Sequence, residues 1–453
     1  MMRKKMASNK AVLLTEGNIR KQILSFAWPV FISSIFSELY NITNSLIVGN
    51  YVSLKALSAV SACTWICNIF NYTFYGLGMG AGILVARYYG ANDHKKLKNA
   101  LDSAIVFAVF GGLCLTLFSE LLLPVLMKLC NIGVDIYADA EKYLRIYLLG
   151  SSCVLTYQMC FFILRSFGDT KHQLYYSIIS SFVNIILGVI FVRVFDLSVM
   201  GTALATIISQ LTMDVLALRL MFNYDGVNFD FKNIDFSFSV VGQICRLGIP
   251  AGFQNMLIAI SSMMVQSYVN LFPNAVIAGI GVAEKISNWA QMGSMAIASA
   301  TMNIVAQNMG AENYDRVKQS IKEAVKISSL VTFILVMFIF SLAPLLVSRF
   351  NRDSEVIRIG TEMIRSAIFG MMFINLSHIY NAACRGAGNV RVPMMIAIVG
   401  QVICKYLFVY IGLKIHYDVH VLYLGTAFGF TMAGLLAFIY FHTSSWIKEH
   451  HMR

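Results

Sequence analysis

Apolar runs of about twenty residues, separated by short polar breaks, recur from one end of the chain to the other. They fall near 22–50, 57–87, 99–124, 140–164, 172–195 and 199–222, and then near 240–270, 276–308, 318–349, 356–384, 391–414 and 420–445. About twenty apolar residues in helical form cross the hydrocarbon core of a bilayer. The pattern predicts an all-α integral membrane protein with twelve transmembrane helices in two sets of six. An even number of spans in each set returns the chain to its starting side. The two six-helix lobes are therefore expected to be parallel repeats around a central cavity.

A repeated register supports the division. Val85-Ala86, Gly90-Ala91 and Lys98 recur 220 residues later as Val305-Ala306, Gly310-Ala311 and Lys318. Asn68, Arg165 and Gly168 recur in the same register as Asn288, Arg385 and Gly388. With small slips, Pro29 pairs with Pro250 and Gly201-Thr202-Ala203 with Gly425-Thr426-Ala427. A period this long marks two homologous halves rather than a solenoid. In an apolar chain, like halves are the usual build of a transporter that alternates between two openings.

Composition agrees with the membrane reading. The 453 residues are 58% hydrophobic and 13% charged, with mean hydropathy +0.68, whereas soluble domains carry about 25% charged residues. The net charge of +12 is not a nucleic-acid footprint, because it is placed by topology. Arg3, Lys4, Lys5, Lys10, Arg20 and Lys21 precede the first span, and Arg87, Lys95, Lys96 and Lys98 follow the second. Arg316, Lys318, Lys322 and Lys326 follow the eighth, and Lys448 and Arg453 follow the last. With alternating spans these segments share one face, which positive-inside makes cytoplasmic, together with both termini. Arg349 and Arg352 are exceptions on the other face. The basic start has no apolar segment with a small-residue cleavage site, so the first span is expected to stay. A multi-pass protein of the cell membrane follows.

The expected organisation is a cytoplasmic segment 1–21, a lobe 22–223, a cytoplasmic linker 224–239, a second lobe 240–445 and a tail 446–453. The linker is the longest polar-leaning stretch inside the chain and falls at the repeat boundary. Nine cysteines lie mostly within predicted spans and form no disulfide framework. Cys63 and Cys67 lack a second pair to complete a metal site. His416, Asp418 and His420 have ligand-like spacing but fall in a predicted loop, where a solvated turn is the better reading. No Walker loop, zinc-protease helix or nucleophile elbow is present. The chain is read as neither an ATP-driven pump nor an enzyme, with no catalytic residues, metal or organic cofactor.

Several stretches resemble the multidrug and toxic compound extrusion (MATE) transporters. Tyr40-Asn41-Ile42-Thr43-Asn44-Ser45-Leu46-Ile47-Val48-Gly49 is similar to that family's first-helix motif. Val85-Ala86-Arg87-Tyr88-Tyr89-Gly90-Ala91 and Ala306-Gln307-Asn308-Met309-Gly310-Ala311 resemble its two Gly-Ala loops. Leu164-Arg165-Ser166-Phe167-Gly168-Asp169-Thr170 resembles the turn between its fourth and fifth helices, Arg385-Gly386-Ala387-Gly388-Asn389 the counterpart, and Gly201-Thr202-Ala203-Leu204-Ala205-Thr206 its sixth helix. The likeness runs through residues 15–445 with the motifs in the family's order. It implies two six-helix lobes in a V, and export of organic, often cationic, compounds against inward flow of protons or sodium ions. The departures fall on ion coupling. Asn44 stands where the family usually has aspartate, and Gly188 follows Asn184 where an Asn-to-Asp pair is common. Positions near Ile258 and Ile374, acidic in some members, are apolar.

The remaining candidates come from polar groups at bilayer depth, each of which is costly there unless it faces water or a partner. Ser34, Glu38, Asn41 and Ser45 share one face of the first helix. Thr64, Asn68 and Asn71 on the second helix are mirrored at 220 residues by Glu284, Asn288 and Gln291. Lys285 points about 100° from Glu284, and Lys405 lies inside the eleventh span with Gln401 a turn before it. Ion-coupling candidates are thus Glu38, Glu284, Asn44 and Asn184. Cavity candidates are Asn41, Asn68, Asn71, Lys285, Asn288, Gln291 and Lys405. Helix-to-helix hydrogen bonding is the plainer role for each. Asp214, five residues before Arg219, reads as an interfacial anchor, and the Met-rich stretches Met292, Met295 and Met302 as adaptable surface or core filler.

The expected activity is secondary antiport of cationic or amphipathic organic compounds for H⁺ or Na⁺, by a monomer whose partners are those small substrates and membrane lipids. A lipid-linked precursor flippase would share the architecture but line its cavity with cations, and this chain offers chiefly Lys285 and Lys405 there. A passive channel would depend on no gradient.

Overall fold

The computed structural model describes residues 12–52, 54–129, 132–222 and 233–444. Of the expected segments, residues 1–11, most of the linker (224–232) and the tail lie outside the described residues. The helices are α1 (Ile19–Tyr51), α2 (Leu54–Gly90), α3 (His94–Val106), α4 (Gly112–Leu129), α5 (Val134–Leu149), α6 (Ser151–Ser166), α7 (Thr170–Val189) and α8 (Ser198–Phe222). The second repeat follows with α9 (Phe238–Val269), α10 (Asn274–Gly310), α11 (Tyr314–Ser348), α12 (Ser354–Ala367), α13 (Gly370–Gly386), α14 (Arg391–Ala397), α15 (Lys405–Ile415) and α16 (Val419–Thr443). Wider π-helical turns at Phe107–Gly111, Ile190–Val194 and Ile398–Cys404 join α3 to α4, extend α7, and join α14 to α15. No strand occurs among the described residues.

Nine of these helical stretches are long and apolar enough to cross a membrane. Two bent pairs, α5 with α6 at 47° and α12 with α13 at 52°, raise the number to eleven. The fourth and tenth spans are therefore broken rods, at corresponding places in the two repeats. The remaining span, the eighth in order, is α10, 37 residues long but too polar to pass on composition, because it carries Glu284, Lys285, Asn288 and Gln291.

The repeat register is written into the backbone. Asn92 and Glu312, 220 residues apart, both adopt φ +55°. Each is followed by a helix cap: Asp93 accepts from the Lys96 N–H at 3.0 Å, and Asn313 from the Arg316 N–H at 3.2 Å. The Lys96 backbone and ammonium hold the Asp93 carboxyl below its ordinary pKa. Gly168 and Gly388 hold φ +75° and +87°, where a side chain would be strained, and the caps Asp169 and Asn389 follow in register. Asp418 likewise caps α16, accepting from the His420 N–H at 3.1 Å and touching its ring Nδ1 at 2.9 Å. That bond is the first cause of its lowered pKa.

Two compact units emerge, and they differ from the expected lobes at two helices. One holds Ile32–Gly252, the other Leu14–Phe31 and the chain from Phe253 onward. The early parts of α1 and α9 thus belong to the opposite unit from the repeat that encodes them. Each helix changes unit two to three residues after its proline, Pro29 or Pro250. A proline deletes one helical hydrogen bond and loosens the rod there.

Polar clasps hold both exchanged segments. In the second unit, the Leu14 N–H donates to Gln307 Oε1 at 2.8 Å and Arg316 reaches the Glu16 carbonyl at 2.8 Å. Arg20 bonds Glu323 at 2.5 Å. In the first unit, Lys98 and Asn99 of α3 donate to the Asn233 and Asp235 carbonyls at 2.9 and 3.0 Å, and Asp102 accepts the Asp235 N–H at 2.9 Å.

Within the first unit, the early part of α9 lies against α2 through glycines. A Cβ on Gly76 would sit 2.4 Å from the Gly248 carbonyl oxygen, and one on Gly80 2.4 Å from that of Ile244. Added at Gly248, it would meet the Gly76 oxygen at 2.6 Å; at Gly252, the Tyr72 oxygen at 2.9 Å. Small residues spaced four apart bring membrane helices into backbone contact, where packing replaces the absent hydrophobic drive. Gly248→Val should cost about 3 kcal/mol through overpacking, lowering the melting temperature in detergent. Gly281→Ala, which meets nothing within 4 Å, should leave it unchanged or higher. Equal melting of the two variants would contradict this packing.

Candidate functional site

In the first unit the polar interior is built by the later part of α1 with α7 and α8. Helix α7 turns Gln173, Ser177, Ser180, Ser181 and Asn184 inward, and α8 turns in Thr202, Thr206 and Ser209. Short hydroxyls bond the preceding turn of their own helix or the neighbour. Ser180 donates to the Ser209 carbonyl at 2.9 Å, and the Tyr40 hydroxyl of α1 to Thr206 Oγ1 at 3.0 Å. Gly188 faces α1 as well, since a Cβ there would lie 3.2 Å from Ile47 Cδ1. Tyr40, Asn44 and Ile47 therefore share the α1 face turned to α7 and α8.

Asn184 is fully buried, and neither its amide oxygen nor its nitrogen has a partner among the described residues. Asn44 Oδ1 is also buried without one. The two asparagines border the same interior. Asn44 bonds the Tyr40 hydroxyl through its side chain, so its unused group is Oδ1, whereas Asn184 leaves both ends of its amide unbonded among the described residues. Glu38 lies elsewhere. It is nine residues from Ile47, about 180° round the helix at 100° per residue, beside the exposed Ile35, Leu39 and Ile42. The structure thus separates Glu38 from Asn44 and Asn184. The side chain of Asn41 lies outside the described residues.

The paired stripes are open to surrounding space. On α2, Asn68 and Asn71 are half-buried; on α10, Glu284, Lys285 and Asn288 are exposed and Gln291 is half-buried. Lys405, at the start of α15, is 9% exposed, and its charge and that of Glu284 attract each other. No acidic oxygen lies within 4 Å of its ammonium among the described residues, so the pair acts through space or bridging water. Lys285 has no ion-pair contact among the described residues.

Two features were not foreseen. Asp214 is 4% exposed and has no hydrogen-bond or ion-pair partner among the described residues. Its carboxyl faces α6, where it acts electrostatically on Cys153, Tyr157 and Cys160. The interfacial-anchor reading is corrected: an anchor faces headgroups, whereas α8 turns this carboxyl into the unit. In the second unit, α13 presents Asn375, His378, Asn381 and Arg385 along one face. His378 Nδ1 meets Ser294 Oγ of α10 at 3.0 Å, Asn375 bonds Ser328 of α11, and Arg385 donates to Gln254 of α9 at 2.6 Å. Their helical spacing in an otherwise apolar span is the signal the sequence carries for this face.

Eleven apolar spans, counting each bent pair as one, together with the more polar α10 and the buried polar stripes of α7, α8 and α13, define a multi-pass membrane transporter of the two-repeat type. The MatE family model matches the chain twice, at residues 29–190 and 250–411, and the chain belongs to the MATE family. It is 25% identical over 394 residues to "Probable multidrug resistance protein YoeA" of Bacillus subtilis, with 85% of each chain covered. It is 24% identical to "Multidrug export protein MepA" of Staphylococcus aureus, with 86% of each covered. A solved structure described as the outward-facing conformation of a multidrug resistance MATE family transporter shares the fold, with TM-score 0.90 at 20% identity, covering 98% of this chain and all of that one.

The Glu284–Lys405 attraction can be measured. In a thermal-unfolding cycle of Glu284→Gln, Lys405→Met and the double variant, non-additivity of about 1 kcal/mol is expected for coupled charges. Strict additivity would show that the two do not sense each other.

Proposed function

We propose that the protein expels organic cations and amphipathic compounds from the cell in exchange for protons, by alternating exposure of its polar interior. The family and the export named for relatives such as MepA support the transport direction. The observation that carries proton coupling is Asp214, a buried carboxyl with no counter-charge among the described residues. An unpaired carboxylate in such surroundings is too costly to persist, so the group binds a proton when its site is closed and releases it when water or a cation reaches it. A sodium ion needs a cage of oxygens, and Asn44 and Gly188 remove the negative charge that such a cage would need. The exposed Glu284 supplies the acidic group of the second repeat, and Glu38, on the exposed side of α1, attracts cationic substrates. Clustered basic residues set both termini in the cytoplasm, and the monomer is the working unit.

Proteoliposomes containing an organic cation such as ethidium test this reading. Efflux should follow an imposed proton gradient and ignore a sodium gradient. Asp214→Asn should cut proton-driven efflux roughly tenfold or more, as expected for loss of a proton-binding group, while keeping or raising the melting temperature because an uncompensated buried acid is gone. Glu284→Gln should weaken efflux while membrane insertion stays intact. Sodium-driven efflux, or parental pH dependence in Asp214→Asn, would reject proton coupling through this residue.

A further inference from the structure

We infer that the second unit carries a binding site for an acidic phospholipid, between the first turns of α11 and the last turns of α13 and α16. A cavity of about 390 Å³ opens there, lined by Lys318, Lys322 and Lys326 together with Ile321, Val325, Tyr380, Phe441 and His442. Its volume is that of a small-ligand site. The three lysines are spaced four apart, so they stack along one face of α11.

The charges are not consumed by acids nearby. Lys326 lies 3.2 Å from Glu323, but that carboxylate is already bonded by Arg20. Lys318 lies 4.0 Å from the fully solvated Asp315. Lys322 has no partner among the described residues. The His442 ring directs Nδ1 to the Phe438 carbonyl at 2.9 Å, which leaves Nε2 outside that bond. Four basic groups thus line one pocket, and Glu323, the buried acid beside Lys326, is shared with Arg20.

The floor of the pocket selects a lipid rather than a soluble anion. Tyr380 packs on Phe441 at 4.5 Å and Phe438 on His442 at 4.1 Å between ring centroids. Below Lys326 on the same helix face come Leu330 and Phe333, 60% and 52% exposed, and on α16 Phe438 and Ile439 are 45% and 53% exposed. In a membrane protein such an exposed apolar strip faces acyl chains. A lysine ladder directly above it meets the headgroup layer, where each basic residue draws acidic lipid. The phosphodiester rests among the lysines, and the acyl chains run down Leu330, Phe333 and Ile439.

Native mass spectrometry of the full-length protein, released from detergent with phosphatidylglycerol or phosphatidylcholine titrated in, tests the site. Retention of phosphatidylglycerol over phosphatidylcholine is expected. Lys322→Gln and Lys326→Gln should each weaken it about fivefold. Lys322→Arg should retain binding, and Lys95→Gln with Lys96→Gln, in the other unit, should leave it unchanged. Inorganic phosphate and glycerol phosphate should not displace the lipid. Equal retention of the two lipids by the parent protein, unchanged binding in both glutamine variants, or displacement by free phosphate would overturn the proposal.

Discussion

A polar group in hydrocarbon must find a partner or reach water, and that constraint organises this molecule from its helices to its chemistry. Hydroxyls on α7 and α8 return to backbone carbonyls; the polar face of α13 is met by serines of α10 and α11 and by Gln254 of α9. Where backbones cross closely, as Gly76 and Gly80 do against the early part of α9, side chains are absent altogether. Among the buried polar atoms left unbonded are Asn44 Oδ1, Asn184 and Asp214 Oδ1 in the first unit; in the second, Glu284 and Lys405 attract each other without an ion-pair contact among the described residues. A transporter needs such groups, because a site already satisfied in one state gains nothing from binding an ion or substrate.

The exchange of helix halves follows from the same chemistry. The extended starts of α1 and α9 expose backbone carbonyls and N–H groups, and each is clasped by side chains from α10 and α11 or from α3. Beyond its proline each helix continues in the other unit. Two continuous helices therefore contribute to both units, and each has a proline, Pro29 or Pro250, just before it changes unit.

Much of the architecture was legible in the sequence. Apolar length located the helices to within a few residues, and the 220-residue register reappears in paired caps and paired left-handed residues. The exchanged halves were not legible, because periodicity reports that a helix buries a face but not against which neighbour. The breaks at Gly150 and before Gly370 also left no gap in the apolar pattern. For the site, the mirrored stripes on α2 and α10 could be read from spacing, whereas the separation of Glu38 from Asn44 depended on which face of α1 meets α7. In sequence Asp214 lies near a helix end and five residues before Arg219, a spacing that an interfacial anchor shares. Only packing against α6 reveals that the carboxyl turns inward.

The account stands on competition between protons and organic cations for the same carboxyls. Proton release during binding measures it most directly, by adding an organic cation to purified protein in weakly buffered detergent solution and following a pH indicator. The account predicts that protons are released as the cation binds, and that cation affinity rises with pH as the carboxyls ionise. Binding without proton release, at an affinity that does not change with pH, would contradict it.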